Sequence, residues 1–252
     1  MVHFVGAGCG AKDLITVRGK DHIEKADIII YAGSLVNKEL LSYNTKNAEV
    51  FDSAYMTLDE VLNVIRDGEE KGLYIVRLHT GDPALYGSIK EQMDELNKYD
   101  IEYDVTPGVS AAFGAAASLK AEYTLPEVSQ TLILTRMSGK TLVPEKESIK
   151  SLASHNATMA IYLSASLAKD LQKELLAGGY SEDTPAAACV KVSWDDEKIY
   201  RCTVGTIAET TEKNNIKKTC IYIIGDSIDP KSYDKSRLYA ADFSTEYRKA
   251  SK

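Results

Sequence analysis

The chain of 252 residues contains little of several residue types, and each shortage excludes a class of protein. Its four cysteines show no close pair with metal-ligand spacing, and its four histidines form no such cluster in the sequence. A metalloenzyme is therefore not expected. No apolar run reaches the length of a membrane span, because runs such as the one near 28–31 are only long enough for a strand.

Positive charge is also scarce, since 30 Lys and Arg face 37 Asp and Glu for a net charge of −7. Nucleic-acid binding depends on positive charge, so a nucleic-acid partner is not expected. An anionic small molecule would need a local cationic patch. The chain enters a strand at once, without a basic and then apolar signal segment, so we expect a cytoplasmic protein with no membrane attachment.

Short apolar strands alternate with amphipathic helices along most of the chain, a pattern typical of the α/β class. The polar stretch 120–129 contains Pro126 and separates two such sets. We therefore predict two αβα domains with mostly parallel sheets, an N-terminal domain over 1–119 and a C-terminal domain over 120–252. A cleft between the two domains would hold the ligand. The charged tail after 229 is expected either to wrap along the surface or to be partly disordered.

The most informative motif is Thr80-Gly81-Asp82-Pro83, which joins an apolar strand to a helix a few residues later. Gly81 has no Cβ to obstruct a ligand, and Pro83 fixes its own φ. Parallel sheets bind small molecules at the carboxyl ends of their strands. Taken alone, the motif fits a ligand loop and an ordinary turn equally well.

A second glycine motif, at 6–11, formally matches the dinucleotide pattern G-x-G-x-x-A. A dinucleotide site also needs a helix that starts within the glycines and an acidic residue at the end of the next strand. The β-branched run 14–17 disfavours that helix, and Asp27 lies at the wrong end of its strand. A nicotinamide-dependent dehydrogenase is therefore disfavoured.

Taken in order, the motifs resemble those of the S-adenosylmethionine-dependent tetrapyrrole methylases, which have the class III methyltransferase fold. The stretches that carry the resemblance are 5–10, 14–19, 80–83, 107–111, 161–163 and 185–187. Within the family, the chain looks most like the members that methylate C11 of precorrin-4 or cobalt-precorrin-4 in cobalamin biosynthesis. The stretches that point there are 52–54, 77–83, 135–141, 144–145 and 193–199.

The chain departs from the family pattern at a few positions. Cys9 stands where a proline is usual, and Lys140 and Lys191 stand where arginine is expected. Lysine keeps the positive charge but cannot form the bidentate contact that arginine makes with a carboxylate.

The resemblance implies binding residues but no catalytic side chain and no metal, because the donor carries its own leaving group. The implied cofactor contacts are Thr80, Gly81, Asp82, Leu85, Ser110 and Ala111, with Leu163, Ala187 and Val192 from the second domain. The implied contacts with the anionic tetrapyrrole are Asp52, Ser53, Arg77, Arg136 and Lys140, with Lys146 in the same basic loop. A homodimer is also implied.

Other functions remain open at this point. The acceptor could be precorrin-2, precorrin-3 or uroporphyrinogen III, or a protein or RNA target as in the diphthine and ribosomal branches of the family. The basic loop 136–141 favours precorrin-4, and the acidic net charge disfavours RNA. A non-catalytic nucleotide sensor could also use the same cleft.

Overall fold

A computed structural model describes residues 1–250, whose contacts divide them into two compact units. The first unit contains Met1–Ala115 together with Lys191–Lys198, and the second contains Ala116–Val190 and the chain from Ile199 onward. The short segment 191–198 therefore packs with the first unit although it lies late in the sequence.

The first unit is built on one five-stranded sheet in which every registered pair of strands is parallel. Its strands are β1 (Val2–Gly6), β2 (Ile28–Tyr31), β3 (Glu49–Asp52), β4 (Ile75–His79) and β5 (Tyr103–Thr106), in the order β3-β2-β4-β1-β5. Its helices are α1 (Val17–Lys25), α2 (Leu58–Glu70), α3 (Ile89–Asn97) and α4 (Ala111–Leu119). Every residue of β1, β2 and β4 is buried, and most of these residues are apolar.

Helices cover both faces of this sheet. Ile23 of α1 packs with Val5 on one face, whereas Leu96 of α3 packs with Phe4 on the other. The chain therefore leaves β1 over one face and the adjacent strand β4 over the opposite face. Where adjacent strands connect over opposite faces in this way, their carboxyl ends are the usual ligand position in such sheets.

Local signals set where the helices begin. Thr57 and Glu60 form a capping box at the start of α2. The side chain of Thr16 accepts a hydrogen bond from the Gly19 N–H, so α1 starts at Val17. This start lies well beyond the glycine motif, so the helix required by a dinucleotide site is absent there.

The second unit contains a mixed five-stranded sheet. Its strands are β6 (Leu132–Arg136), β7 (Thr158–Tyr162), β8 (Pro185–Val190), β9 (Lys198–Thr203) and β10 (Cys220–Ile224), in the order β6-β7-β10-β8-β9. Its helices are α5 (Ile149–Ala153), α6 (Ala168–Gly178) and α7 (Ile207–Lys213). β6 is parallel to β7, whereas β10 is antiparallel to both β7 and β8.

The predicted α/β class is confirmed, and most registered strand pairs are parallel. The antiparallel placement of β10 was not expected, because the spacing of apolar residues does not encode strand direction. Within residues 1–250, no helix combines the length and the apolar character that crossing a bilayer requires.

Candidate functional site

The loops that follow β1 and β4 pair with each other at the carboxyl edge of the first sheet. The Gly81 N–H donates to the Gly8 carbonyl at 2.9 Å, and the Gly8 N–H donates to the Gly81 carbonyl at 3.3 Å. Gly8 and Gly81 both have positive φ, at +79° and +62°, a conformation that glycine adopts without strain. The two glycine motifs found in the sequence thus form one structure.

The loop after β5 packs against the same pair so closely that only glycine fits. A Cβ on Gly108 would lie 2.1 Å from the carbonyl oxygen of Gly81, and one on Gly6 would lie 2.6 Å from the Gly108 Cα. Neither neighbour is the end of a flexible side chain, so neither could yield without moving backbone. At this edge three adjacent strands therefore meet through main-chain atoms.

Asp82 holds two of these loops together. Its Oδ1 accepts from the Ala84 N–H at 2.8 Å, and its Oδ2 accepts from the Gly108 N–H at 3.0 Å. The carboxylate is therefore already bonded inside the protein. Asp82 shapes the loop, and any contact with a ligand would use its remaining acceptor capacity.

Thr80, beside Gly81, has a buried hydroxyl with no hydrogen-bond partner. Buried polar atoms are nearly always paired, so an orphaned hydroxyl marks a position where a ligand can supply the missing partner. A Cβ built on Gly81 would have no neighbour closer than the Ser110 Cα at 3.6 Å, so the space beside it is open enough for a ligand to approach the backbone.

Helix α4 begins at the same edge. The Ser110 carbonyl accepts from the Phe113 and Gly114 N–H groups at 3.0 and 3.1 Å, as expected for the residue that caps this helix. Ser110 is buried, whereas Ala111 and Leu85 are half-buried. The first amides of a helix attract anions, so this end of α4 suits a carboxylate.

The segment 191–198 docks onto the loop after β1, and sequence reasoning missed this contact. The Ser193 hydroxyl accepts from the Ala11 N–H at 3.0 Å, and its oxygen lies 3.3 Å from the Cys9 sulfur. A Cβ on Gly10 would lie 2.4 Å from Trp194 Cδ1. Val192 also belongs to the first unit by its contacts, contrary to its predicted place in the second domain. No local pattern in the sequence signals a contact across so many residues.

Two of these loops have strained backbone. Tyr86 and Ser88 after the Gly-Asp-Pro turn have φ of 58° and 51°, and Lys191 and Ser193 in the docked segment have φ of 49° and 63°. Positive φ is costly for residues with a side chain and tends to occur at functional sites. The strain fits a site that requires one loop geometry.

A cavity of about 380 Å³ opens between the loop after β1 and the docked segment. Its lining contains one ammonium, from Lys12, and the four carboxylates of Asp13, Glu39, Asp195 and Asp196. The indole of Trp194 supplies an apolar wall. This charge balance suits a cationic ligand better than a polycarboxylate.

The carboxylate of Asp52 binds backbone N–H groups of the protein instead of facing open space. Its Oδ1 accepts from the N–H groups of Gly33 and Ala54 at 3.0 Å each, and its Oδ2 lies 3.3 Å from the Tyr31 hydroxyl. Burial opposes the charge, but the hydrogen bonds from Ala54, Gly33 and Tyr31 outweigh it and hold the Asp52 pKa below its usual value. The hydroxyl of Ser53 donates to the Tyr31 carbonyl at 3.1 Å. Both predicted substrate contacts are thus engaged in holding the ends of β2 and β3.

Arg77 is 7 % exposed, and its guanidinium donates to Gln92 Oε1 at 3.2 Å and to the carbonyls of Ile30 and Leu78 at 3.3 Å. Burial lowers the Arg77 pKa to about 10. We therefore withdraw Arg77 from the predicted substrate contacts, because its charge is enclosed by the protein. Position 77 is on β4, and the local sequence could not show that α3 covers it.

Hydrogen bonds from Arg136 hold the basic loop after β6 in shape. Arg136 donates to the carbonyls of Met137, Thr141 and Leu142 at 3.0–3.1 Å, whereas Lys140 is exposed. Arg136 thus shapes the loop that presents Lys140. Lys146, further along, is exposed as well.

Two predicted cofactor contacts lie in the second unit. Leu163 follows β7, is 65 % exposed and has a φ of 53°, an unusual state for a bulky residue. Ala187 is fully buried within β8, where it pairs with Ile223 of β10. Leu163 presents its side chain openly, and Ala187 does not.

A second group of polar side chains forms at the amino edge of the first sheet. His3, His22 and Asp104 place one potential metal-ligand atom each within 4.8 Å of one another. This grouping is not visible in the sequence, because the fold joins positions far apart in the chain.

The comparisons with known proteins agree with this architecture. A family model described as tetrapyrrole (corrin/porphyrin) methylases matches residues 1–208. A cobalt-precorrin-4 C(11)-methyltransferase of Methanocaldococcus jannaschii is 55% identical over 251 residues, which are 100% of this chain and 97% of that protein. A precorrin-4 C(11)-methyltransferase of Pseudomonas aeruginosa is 40% identical over 98% of both chains.

Solved structures give the same result. The X-ray structure of a cobalt precorrin-4 methyltransferase superposes with a TM-score of 0.88 and 42% identity, covering 91% of this chain and 96% of that one. A uroporphyrin-III C-methyltransferase from Thermus thermophilus, complexed with S-adenosyl homocysteine, shares the fold with a TM-score of 0.76 at 19% identity, covering 93% of this chain and 96% of that chain. The family resemblance read from the motifs is confirmed.

Proposed function

The chain belongs to the tetrapyrrole (corrin/porphyrin) methylases, and from this premise we propose that it transfers a methyl group from S-adenosylmethionine to C11 of precorrin-4 or cobalt-precorrin-4 in cobalamin biosynthesis. The observation that carries the proposal is its high identity, over nearly the whole length of both chains, to relatives named for this reaction. The main-chain site at the carboxyl edge of the first sheet supports it independently.

The residues at that edge fit the methyl donor. The orphaned Thr80 hydroxyl is available to a polar group of the donor, and the amides at the start of α4 suit its carboxylate. Gly81 leaves the backbone open to close approach. We propose Thr80, Gly81, Ser110 and Ala111 as the central contacts, with Leu85 as an apolar neighbour.

S-adenosylmethionine supplies an electrophilic methyl group on a sulfonium that departs as a neutral thioether. The acceptor is an electron-rich carbon of the tetrapyrrole, so this reaction needs no protein nucleophile. What remains for the chain is to hold the two reactants in line and to exclude water. Loops fixed by Asp82 and by the Gly8–Gly81 pair supply the rigid geometry that this requires.

The other predicted cofactor contacts stay in the proposal, but their roles differ. These contacts are Asp82, Leu163, Ala187 and Val192. Asp82 and Val192 support the loops around the site, and the exposed side chain of Leu163 is free to contact a ligand. Ala187, with its side chain buried, could act only through its backbone. For the carboxylates of the tetrapyrrole, we retain Lys140, whose side chain is exposed, whereas Arg136 is engaged with its own loop.

The test is to incubate the purified chain with S-adenosylmethionine carrying a ¹³C-methyl group. Cobalt-precorrin-4, precorrin-4, precorrin-2, precorrin-3 and uroporphyrinogen III are offered separately, and the new methyl carbon is located by NMR. We expect labelling at C11 with one or both precorrin-4 forms. Labelling at another carbon, or no labelling with folded protein, would overturn the proposal. Labelling of uroporphyrinogen III alone would indicate that the chain is a uroporphyrinogen III methyltransferase instead.

A matched pair of glycine variants tests the site itself. Gly81 and Gly72 have nearly the same φ, +62° and +65°, and neither has a backbone atom within 3.4 Å of a built Cβ. Alanine therefore introduces similar strain at both positions. We expect Gly81→Ala to weaken S-adenosylmethionine binding at least about tenfold, because its Cβ enters the ligand side of the loop, and Gly72→Ala to leave binding unchanged. Equal losses in both variants would count against the site.

We also propose that the chain forms a homodimer in the cytoplasm, as the family resemblance implies. Light scattering should give twice the 27.7 kDa mass of one chain. Retention of S-adenosylmethionine without turnover of any tetrapyrrole would instead favour a sensor that uses the same site.

A further inference from the structure

The amino edge of the first sheet brings together metal-ligand side chains that the proposed methyl transfer does not use. His3 is the second residue of β1, Asp104 is the second residue of β5, and the two are directly paired in the sheet register. His22 is on α1, which packs over the same face. Two strands and a helix thus contribute one potential ligand each.

The three side chains are held by short contacts. His3 Nδ1 lies 2.9 Å from Asp104 Oδ1, and His22 Nδ1 lies 2.6 Å from the Tyr74 hydroxyl. The rings of His3 and His22 stack with their centroids 4.3 Å apart. Tyr74 stacks on His3 at the same distance, so it orients both imidazoles. Neighbours that bond or stack against an imidazole in this way fix the orientation of the ring in metal sites.

One atom of the cluster lacks a partner. His22 Nε2 is buried and makes no hydrogen bond. An unpaired imidazole nitrogen can bind a metal ion, and a buried polar atom without a partner needs an explanation.

We propose that His3, His22 and Asp104 bind one borderline divalent metal ion, such as Zn²⁺, at the amino edge of the first sheet. Two imidazoles and one carboxylate are a ligand set that Zn²⁺ commonly accepts, with water in the fourth position. The side chain of Asp104 is 47% exposed, which provides an entry path and lets the carboxylate move.

The ligand atoms must contract for this ion to bind. Bonds of about 2.1 Å in tetrahedral geometry place ligand atoms about 3.4 Å apart, closer than the 4.8 Å limit within which these atoms lie. Rotation of the exposed Asp104 must supply part of the difference. His22 must also turn out of its stack on His3, because imidazole lone pairs lie in the ring plane and the two planes are only 28° apart. The bound ion would then join β1, β5 and α1, and its binding energy would add to the stability of the first unit.

This site is separate from the proposed methyl-transfer site. His3 and Gly6 are three residues, or about 10 Å, apart along β1. The proposed ion is therefore structural, and the inference does not rest on the proposed function.

The experiment is a calorimetric titration of tag-free, chelator-treated protein with Zn²⁺ near pH 7, combined with thermal unfolding. We expect saturation at one ion per chain and a higher unfolding temperature with Zn²⁺. Asp104→Asn and His22→Gln should each weaken binding at least about tenfold, whereas the exposed His155→Gln should bind like the parent chain. Because His22 is partly buried, the exposed Asp104 variant guards against a result caused by misfolding.

Co²⁺ serves as a spectroscopic probe in the same protein. Nitrogen and oxygen ligands give weak visible bands, whereas a cysteine thiolate adds an intense charge-transfer band in the near ultraviolet. We expect the weak bands alone, lost in Asp104→Asn. Absence of saturable Zn²⁺ binding, unchanged affinity in both cluster variants, or a thiolate band would each overturn the inference.

Discussion

The two edges of the first sheet are made from the same three strands but present different chemistry. At the carboxyl edge, β4, β1 and β5 end in loops that meet through Gly6, Gly8, Gly81 and Gly108, with atoms too close for any Cβ at Gly108. At the amino edge, the same strands and the residue before β4 present His3, Asp104 and Tyr74.

This difference shows how one sheet can hold two kinds of site. A ligand that must be held by main-chain amides needs a surface cleared of side chains, and glycine supplies it. A metal ion needs the opposite, because its ligands are side-chain nitrogen and oxygen atoms. The parallel arrangement places all strand ends of one type at one edge, so the two surfaces do not interfere.

The largest expected effect comes from adding a methyl group at the carboxyl edge. Gly108→Ala places a Cβ 2.1 Å from the Gly81 carbonyl and should lower the free energy of unfolding by about 3 kcal/mol in a urea titration. Gly139→Ala is the control, since its nearest neighbour is 3.4 Å away, and it should change the stability by no more than about 0.5 kcal/mol. A fully stable Gly108→Ala protein would show that the loops are not tightly joined.

A second effect concerns His79, a buried side chain at the end of β4. Burial, and then Arg77, lower the His79 pKa to about 3 against an opposing hydrogen bond with Gly87. An unfolded histidine titrates near 6.5, so between pH 7.5 and 4.5 only the unfolded chain takes up this proton. Stability should therefore fall by about 2–3 kcal/mol over that range because of this residue.

The matched variant is His79→Asn, which keeps a side-chain donor but does not titrate. Urea titrations at pH 7.5 and 4.5 should show a smaller loss for the variant than for the parent chain. A residual slope is expected from His22, whose pKa is also lowered. An identical slope in both proteins would mean that His79 is protonated in the folded state.

A smaller effect is expected at Asp52, which clamps the loop after β2. Asp52→Asn removes the charge that accepts from Gly33 and Ala54 and should cost about 1 kcal/mol at pH 7. The folded pKa of Asp52 is lowered, so its contribution is present above the unfolded pKa and is lost as pH falls through the folded value. The difference between the two proteins should shrink below pH 4, and a constant difference would contradict the assignment.

Thr80→Val tests the orphaned hydroxyl. Because the hydroxyl has no partner, its removal should leave the stability unchanged or raise it by up to about 1 kcal/mol. Binding of S-adenosylmethionine should weaken about fivefold, a loss of about 1 kcal/mol, in calorimetry. Unchanged affinity would show that Thr80 does not contact the donor.

The smallest effect is expected at the amino edge in the absence of metal. Asp104→Asn removes a half-exposed partner of His3, and such pairs contribute little. In chelator the free energy of unfolding should change by no more than about 0.5 kcal/mol, measured by urea titration. A loss of several kcal/mol would mean that the cluster stabilises the sheet without an ion.

Short-range features of the fold were predictable from the sequence. The capping box at Thr57 and the strand before the Gly-Asp-Pro turn depend on residues close together in the chain, and both are present. The ordered motifs also predicted the family. These features can be predicted because helix caps and apolar periodicity depend only on residues that are close together in the sequence.

The partners of individual polar side chains could not be predicted. Arg77 meets Gln92 and Ile30, which are 15 and 47 positions away, so nothing near it in the sequence shows that it is enclosed. Likewise, Ser193 reaches Ala11 from 182 positions away. The two-histidine cluster depends on strand register and on the face that α1 covers, and neither is visible before the fold is known.

The most direct test of the account is an amide NMR titration of ¹⁵N-labelled protein with S-adenosylmethionine in the presence of chelator. The account predicts that the largest shifts occur at the carboxyl edge, in Gly8, Gly81 and the first turn of α4. Amides near His3 at the amino edge should hardly change. Binding that leaves the glycine loops unperturbed would contradict the central claim that main-chain atoms at this edge hold the methyl donor.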